Sequence, residues 1–335
     1  MTISYMATED DHQRLEWLGG GVMQVLLDGD RTGGQLSLFR SSAPAGAASP
    51  AHVHSREDEV FVFLRGSAII WVGDQRFEVD EGGVAFLPRG IPHAYRITAD
   101  ADLLALSTPS GLEDFFRGAG HDLRTPKPAG WRITPQTMAE AAAGNGQVVL
   151  GPPLGPDDVL PAHGGLEPGG VPHVARAGEH ETFEWLGGGL MRVLLAQEHT
   201  GGRFSLFRSS SPRGSASPVY LNRRSDEILV VLRGGGLCWA GERRHEVSDG
   251  GVVVVPRGVP MAYRTTADTD LLAVSTPAGL ESFFRIAGRD VRGPRPPEWT
   301  VSPELLAQAA DATGQTVLGP PLDVGGTIPE ALLGG

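Results

Sequence analysis

His52 and His54 stand two residues apart, and Glu59 follows after four more. His93 comes directly after the turn-like run Pro88-Arg89-Gly90-Ile91-Pro92. In a strand, a spacing of two puts both imidazoles on one face, where their Nε2 atoms can converge on one ion. Three imidazoles and one carboxylate suit Fe(II), Mn, Ni, Co, Cu or Zn, and disfavour Mg and Ca, which take all-oxygen shells. Such a set leaves one or two open positions on an octahedral ion, as a substrate or O2 requires. The expected cofactor is therefore one divalent first-row transition metal, with Fe(II) placed first. Glu57 is the alternative carboxylate. Outside a metal site, Glu59 would pair with a nearby arginine or a backbone N–H.

The elements that must carry these residues read as mostly β. Segments 21–27, 35–40, 59–64, 68–72, 76–79, 84–87, 94–98 and 103–107 are short and rich in β-branched or aromatic residues. Each is bounded by Gly, Pro or Asp. Regular spacing of this kind predicts a sandwich or barrel, with a jelly roll as the closed form. Two helices follow. Segment 111–118 gathers Leu112, Phe115 and Phe116 on one face, and segment 135–143 opens with Thr134 as cap and Pro135 at its first position.

The whole arrangement occurs twice. Glu16-Trp17-Leu18-Gly19-Gly20-Gly21 recurs from Glu184, and Leu150-Gly151-Pro152-Pro153-Leu154 recurs from Leu318, both at an offset of 168 residues (184 − 16 and 318 − 150). A period this long marks a duplicated domain. The expected organisation is a first domain at 1–155, a Gly/Pro-rich linker at 156–178 and a second domain at 179–335. Tyr220, Asn222 and Met261 occupy the places of His52, His54 and His93 in the second copy, whereas Glu59 persists as Glu227. The surrounding Arg, Asp and Pro-Arg-Gly residues also persist. Loss of the ligands on a retained scaffold implies one metal site, in the first copy.

Composition narrows the function classes. The net charge of −12 and an aromatic content of 7% argue against a nucleic-acid partner. No apolar run approaches the roughly 20 residues of a membrane span. The N-terminal run has no basic or apolar region of a secretory leader, so a cytoplasmic protein is expected. The single cysteine, Cys238, excludes an intramolecular disulfide and reads as a small core residue. His12, His121, His163, His173, His180, His199 and His245 have no paired spacing and read as surface residues. Trp17 and Trp185 read as core or inter-copy contacts. The apolar Trp-Leu-Gly-Gly-Gly segments and the long linker are consistent with a homodimer, or with strand exchange between copies.

Gly46-x5-His52-x-His54-x4-Glu59-x6-Gly66 and Gly82-x5-Pro88-x-Gly90-x2-His93 resemble the two motifs of the cupins. Ile97 stands where the second motif often has Asn. The resemblance covers both halves and implies a bicupin: two tandem jelly-roll β-barrels, all-β with a few short helices. It also implies that His52, His54, Glu59 and His93 are the metal ligands. The fused architecture and the run Pro92-His93-Ala94-Tyr95-Arg96 further resemble bacterial quercetin 2,3-dioxygenases. That resemblance implies O2-dependent cleavage of an enolic or flavonol-like small molecule. Glu59 would serve as ligand and catalytic base, and Tyr95, Phe61 and Phe63 would line the substrate pocket. Two other readings stand beside it. One is a metal-dependent cyclase or isomerase of a polyketide-type intermediate that needs no O2. The other is a non-catalytic bicupin that binds a small ligand.

Overall fold

In the computed structural model, residues 4–297 and 299–333 are described. The outer ends of the expected 1–155 and 179–335 segments, and the first three residues of the N-terminal run, lie outside the described residues. The chain is β-rich, with 24 strands and six α-helices among the described residues. It forms two units. One comprises residues 12–179, and the other joins the N-terminal residues through Asp11 to those from His180 onward.

Two long strands organise the first unit. Asp58–Val72 and His93–Thr108 run antiparallel along their whole length. Segments 59–64 and 68–72 are thus one strand, not two. The strand bends where its register slips between Phe63 and Ala68. Such slips kink a strand and raise its twist. Gly66 occupies this bend at φ 83°, and a Cβ there would lie 2.4 Å from the Asp100 carbonyl oxygen. Before the bend the pair carries Ser37–Ala43 and Val84–Leu87; past it, Gln75–Val79 and Pro50–His54. The eleven strands therefore fold into two facing layers of jelly-roll type, with no hydrogen-bonded ladder closing the barrel. Phe39, Phe61, Phe63 and Leu103 from one layer share a core with Ala68, Ile70, Val72 and Ile97 from the other.

The second unit repeats this plan, but its layers are separate sheets of eight and five strands. The cause is local. Ser67 and Ala68 are replaced by Gly235 and Gly236, so Gly234 stands in a triple-glycine run. Asp226–Arg233 and Gly235–Ala240 are two strands where the first copy has one. Glycine in a strand interior weakens pairing.

The first unit does not end at 155 but runs on to residue 179, next to the expected start of the second domain, and the residues up to Asp11 go with the second unit. Tyr5–Ala7 pairs antiparallel with Val252–Val255, in the unit of the second repeat. Its counterpart 168 residues on, His173–Ala175, pairs with Val84–Leu87 of the first. Each arm thus completes the sheet of the other repeat. Residues 156–178 are also bound to the first unit. Trp71 donates its indole N–H to the Asp158 carbonyl at 3.0 Å, and Leu160 is buried with Trp71, Ala94 and Leu154. The physical reason is an open sheet edge, which an arm satisfies and a solvated linker does not.

The helix Leu112–Ala119 buries Leu112, Phe115, Phe116 and Ala119. Trp17 meets Phe115 and Phe116 edge to face, at centroid distances of 5.6 and 4.8 Å. Buried Glu113, in the helix's first turn, accepts hydrogen bonds from the Gly29 and Gly111 amides, both at 2.8 Å, and from the Ser37 hydroxyl. Glu281 repeats this clamp in the second unit. Pro135–Gly144 is capped by Thr134 as its sequence implies. Cys238 is buried. Contrary to their reading as surface residues, His12, His121 and His180 are buried. Among the described residues no helix is long and apolar enough to cross a membrane.

One ion pair ties the strands to the turns. Asp58, fully buried, accepts from the Arg89 amide at 2.9 Å and from its guanidinium at 3.1 and 3.0 Å. Asp226 and Arg257 repeat the arrangement. Removing one partner of such a pair costs about 3 kcal/mol. Asp58→Ala should lower the thermal midpoint of the first unit by several degrees while leaving that of the second in place. Calorimetry on Asp58→Ala and Asp226→Ala checks this; a shift in neither would show that the pair is dispensable.

Candidate metal centre

The site is assembled by strand register. Pro50–His54 pairs with the start of His93–Thr108 so that His52 lies directly opposite His93. Two residues on, His54 projects from the same face. Glu59 is the second residue of Asp58–Val72, flanked by Leu87 and Ser107 on its two neighbouring strands. The outcome is convergence. One nitrogen from each of His52, His54 and His93 and one oxygen of Glu59 all lie within 4.8 Å of one another. Opposite ligands on a single ion sit about 4.2 Å apart, twice a bond of about 2.1 Å. The Glu59 carboxylate is 3.3 Å from His93 Nε2 and 3.9 Å from His54 Nε2. The rings of His54 and His93 are parallel, 5.1 Å apart.

The hydrogen bonds around the imidazoles fit a metal. His52 Nδ1 is 2.8 Å from the Pro50 carbonyl and His93 Nδ1 is 3.1 Å from the Ile91 carbonyl. A carbonyl only accepts, so each Nδ1 carries the proton and each Nε2 keeps its lone pair. The Nε2 atoms of His54 and His93 are buried without a hydrogen-bond partner. Orphaned buried acceptors are costly unless something coordinates them. Removal from water, with the neighbouring His93 and His54, holds His52 well below the usual imidazole range. His52 is thus poised as the neutral imidazole, the form that binds metal.

Glu57 does not join the ligand group. It is buried behind His54, with an oxygen 3.7 Å from Nδ1, and both its oxygens lack a hydrogen bond. Among the described residues Glu59 has no arginine partner, and His54 and His93 stand beside it.

The ligand group opens into a cavity. Tyr95, Phe61 and Phe63 line it. Trp17, Met23, Leu112, Phe115, Phe116 and Met138 line it too. Their signal was recurrence: Trp185, Met191, Phe283 and Phe284 stand at the same places in the second copy. Burial, with the charge of Glu59, pushes the Tyr95 phenol well above its ordinary range, opposed by a hydrogen bond from Trp17. Glu59 is the single carboxylate among the cavity's described lining residues.

In the second unit the same place is held by hydrogen bonds. Tyr220 donates to one Glu227 oxygen at 2.8 Å and the Asn222 amide to the other at 3.0 Å. Met261 is buried beside them. No group of potential metal ligands forms there among the described residues.

Comparison with known proteins agrees with this geometry. A family model described as "Cupin domain" matches residues 39–109 and again 208–277. Quercetin 2,3-dioxygenase of Bacillus subtilis is 27% identical over 287 residues, covering 82% of this chain and 83% of that protein. An uncharacterized protein of Aquifex aeolicus is 35% identical over 60 residues, 18% of this chain and 50% of that one. Solved structures of oxalate decarboxylase from Bacillus subtilis match in fold with a TM-score of 0.59 at 18% identity. They cover 83% of this chain and 78% of theirs, and one of their titles refers to Mn(II) centres.

Elemental analysis of protein purified without a histidine tag should give one first-row metal per chain. His52→Ala or His93→Ala should remove most of it while the fold, read by circular dichroism, persists. A ratio near two would overturn the assignment to the first unit. The pH dependence has a definite sign. An unfolded chain protonates His52 near 6.5, the folded site only at lower pH, so acid favours the proton-bound, metal-free and unfolded forms. Metal affinity, and the stability of the first unit without metal, should both fall as pH drops through 6.5 and below. Competition with a chelator across pH 5–8 measures the first, and denaturant titration the second.

Proposed function

We propose that this chain, a bicupin with ligands in its first barrel only, is a metal-dependent enzyme that oxidises an enolic, flavonol-like or aromatic polyketide-like small molecule with O2. The observation that carries the reading is the placement of three imidazoles and one carboxylate at an apolar, aromatic-walled cavity. The relationship to quercetin 2,3-dioxygenase over most of both chains supports it. A divalent transition ion held by His52, His54, Glu59 and His93 would supply Lewis acidity toward an enolate oxygen and a route for O2 chemistry. Fe(II) is the first candidate, with Ni, Mn, Co, Cu and Zn open.

The chain's own residues supply the rest. Trp17, Phe61, Phe115 and Phe116 offer ring faces and edges to a planar substrate and exclude water. Tyr95 stays a neutral phenol and can donate to, or accept from, a substrate oxygen. Glu59 takes the proton of the substrate's hydroxyl. It is the available base, because the imidazole lone pairs are committed to the ion and the remaining walls are apolar or neutral. Holding that proton inside a dry cavity keeps the substrate as the electron-rich enolate.

O2 uptake by metal-loaded protein with quercetin, and with β-dicarbonyl compounds, tests the reading. Glu59→Gln should keep part of its metal on three imidazoles yet turn over roughly 10²–10⁴-fold more slowly, the scale of general-base catalysis. Glu59→Asp should fall between. Full activity in metal-loaded Glu59→Gln would overturn the base assignment. Turnover that survives removal of O2 would replace the oxygenase reading with the cyclase or isomerase reading.

A further inference from the structure

The second unit has lost its ligands but not its cavity. A cavity remains there at the place of the one in the first unit. Its walls keep Trp185, Met191, Phe283, Phe284 and Tyr263 at the positions of Trp17, Met23, Phe115, Phe116 and Tyr95. One substitution in the wall releases space. Leu229, in the cavity wall, stands for Phe61. A barrel kept only as scaffold gains by filling such a void, since an empty apolar cavity forfeits packing energy in proportion to its size.

The polar groups at the base are organised as a receptor. Glu227 is buried, and each of its oxygens accepts one hydrogen bond, from Tyr220 and from Asn222. Each oxygen therefore keeps a second lone pair, and Glu227 and Tyr220 both line the cavity. Burial pushes the Glu227 carboxyl above its ordinary range, partly offset by the two donors. A buried carboxyl destabilises a fold unless something uses its acceptor capacity. No lysine or arginine is among the described lining residues, so an anionic ligand has no counter-charge.

We infer that the second unit is a metal-free binding site for a planar, largely apolar molecule that donates one phenol- or enol-type hydroxyl to Glu227. The aromatic walls hold the flat body and the fixed carboxyl sets its orientation. The site needs neither a metal nor O2, so it stands apart from the chemistry proposed for the first unit.

The test uses the full-length, metal-loaded protein under nitrogen, titrated by calorimetry with 2-naphthol and, separately, with 2-methoxynaphthalene, which cannot donate. The expected result is two 2-naphthol sites per chain. Leu229→Trp, which fills the second cavity, should leave one, with metal content unchanged. Glu227→Gln should weaken the second 2-naphthol site by roughly tenfold, the usual effect of one hydrogen bond to a carboxyl group, and leave 2-methoxynaphthalene binding unaltered. Glu227→Gln is the smaller change and keeps the test decisive if Leu229→Trp does not fold. A single site abolished by Leu229→Trp or weakened by Glu227→Gln would uphold this inference and count against the ligand class proposed for the first unit. Stoichiometry and affinity indifferent to both variants, or equal binding of the two compounds at the second site, would overturn it.

Discussion

Both barrels are built on a buried carboxylate gripping an arginine at the far end of a turn. Asp58 is adjacent to Glu59, and Arg89 lies four residues before His93. By accepting both the Arg89 amide and its guanidinium, Asp58 fixes the distance between the strand that bears the carboxylate and the turn that launches the third imidazole. A buried charge tolerates little displacement, because any loosening leaves it uncompensated. The recurrence of the pair as Asp226 and Arg257, where no imidazoles remain, separates its role from ligation. It sets the frame in which ligands, or their replacements, stand.

Within that frame the chemistry depends on which groups meet the carboxylate. In the first unit the backbone carbonyls of Pro50 and Ile91 take the Nδ1 protons of His52 and His93, and the remaining nitrogens point inward with lone pairs. In the second unit a phenol and an amide point inward with hydrogens. The same acceptor is therefore surrounded by acceptors in one unit and by donors in the other. The first arrangement calls for a cation. The second gives each carboxyl oxygen one donor, which is why Glu227 can persist without an ion while keeping acceptor capacity for a further hydroxyl.

The legibility of these features followed their distance in sequence. His52, His54 and Glu59 lie within eight positions, and strand periodicity alone places the two imidazoles together. His93 was legible through the Pro-Arg-Gly turn before it. The cavity walls were harder to see. Trp17 and Met23 precede the ligands, Phe115 and Phe116 follow them, and only tertiary packing brings the four to one space. Breaks expected at residues 64–68 and 98–103 mark bends within continuous strands, because a bulge uses the same glycine and polar residues as a turn. The burial of His12 and His180 had a trace in the sequence, since they recur at the repeat offset. The arms escaped notice because three-residue strands carry too little periodicity to register.

The crossed placement of Tyr5–Ala7 and His173–Ala175 makes the two units topologically unequal. The first is a continuous stretch of chain, residues 12–179, whereas the second is assembled from both ends of the polypeptide. A gene fragment covering 12–179 would encode a complete sheet with its own capping arm. A cut at the repeat boundary near 155 would strip that arm and bare the edge Val84–Leu87, an invitation to intermolecular pairing. The discontinuous unit obeys the opposite rule. No uninterrupted stretch of the chain holds both of its parts without also holding the first unit, so isolating it takes excision of 12–179 and a direct join of residue 11 to residue 180.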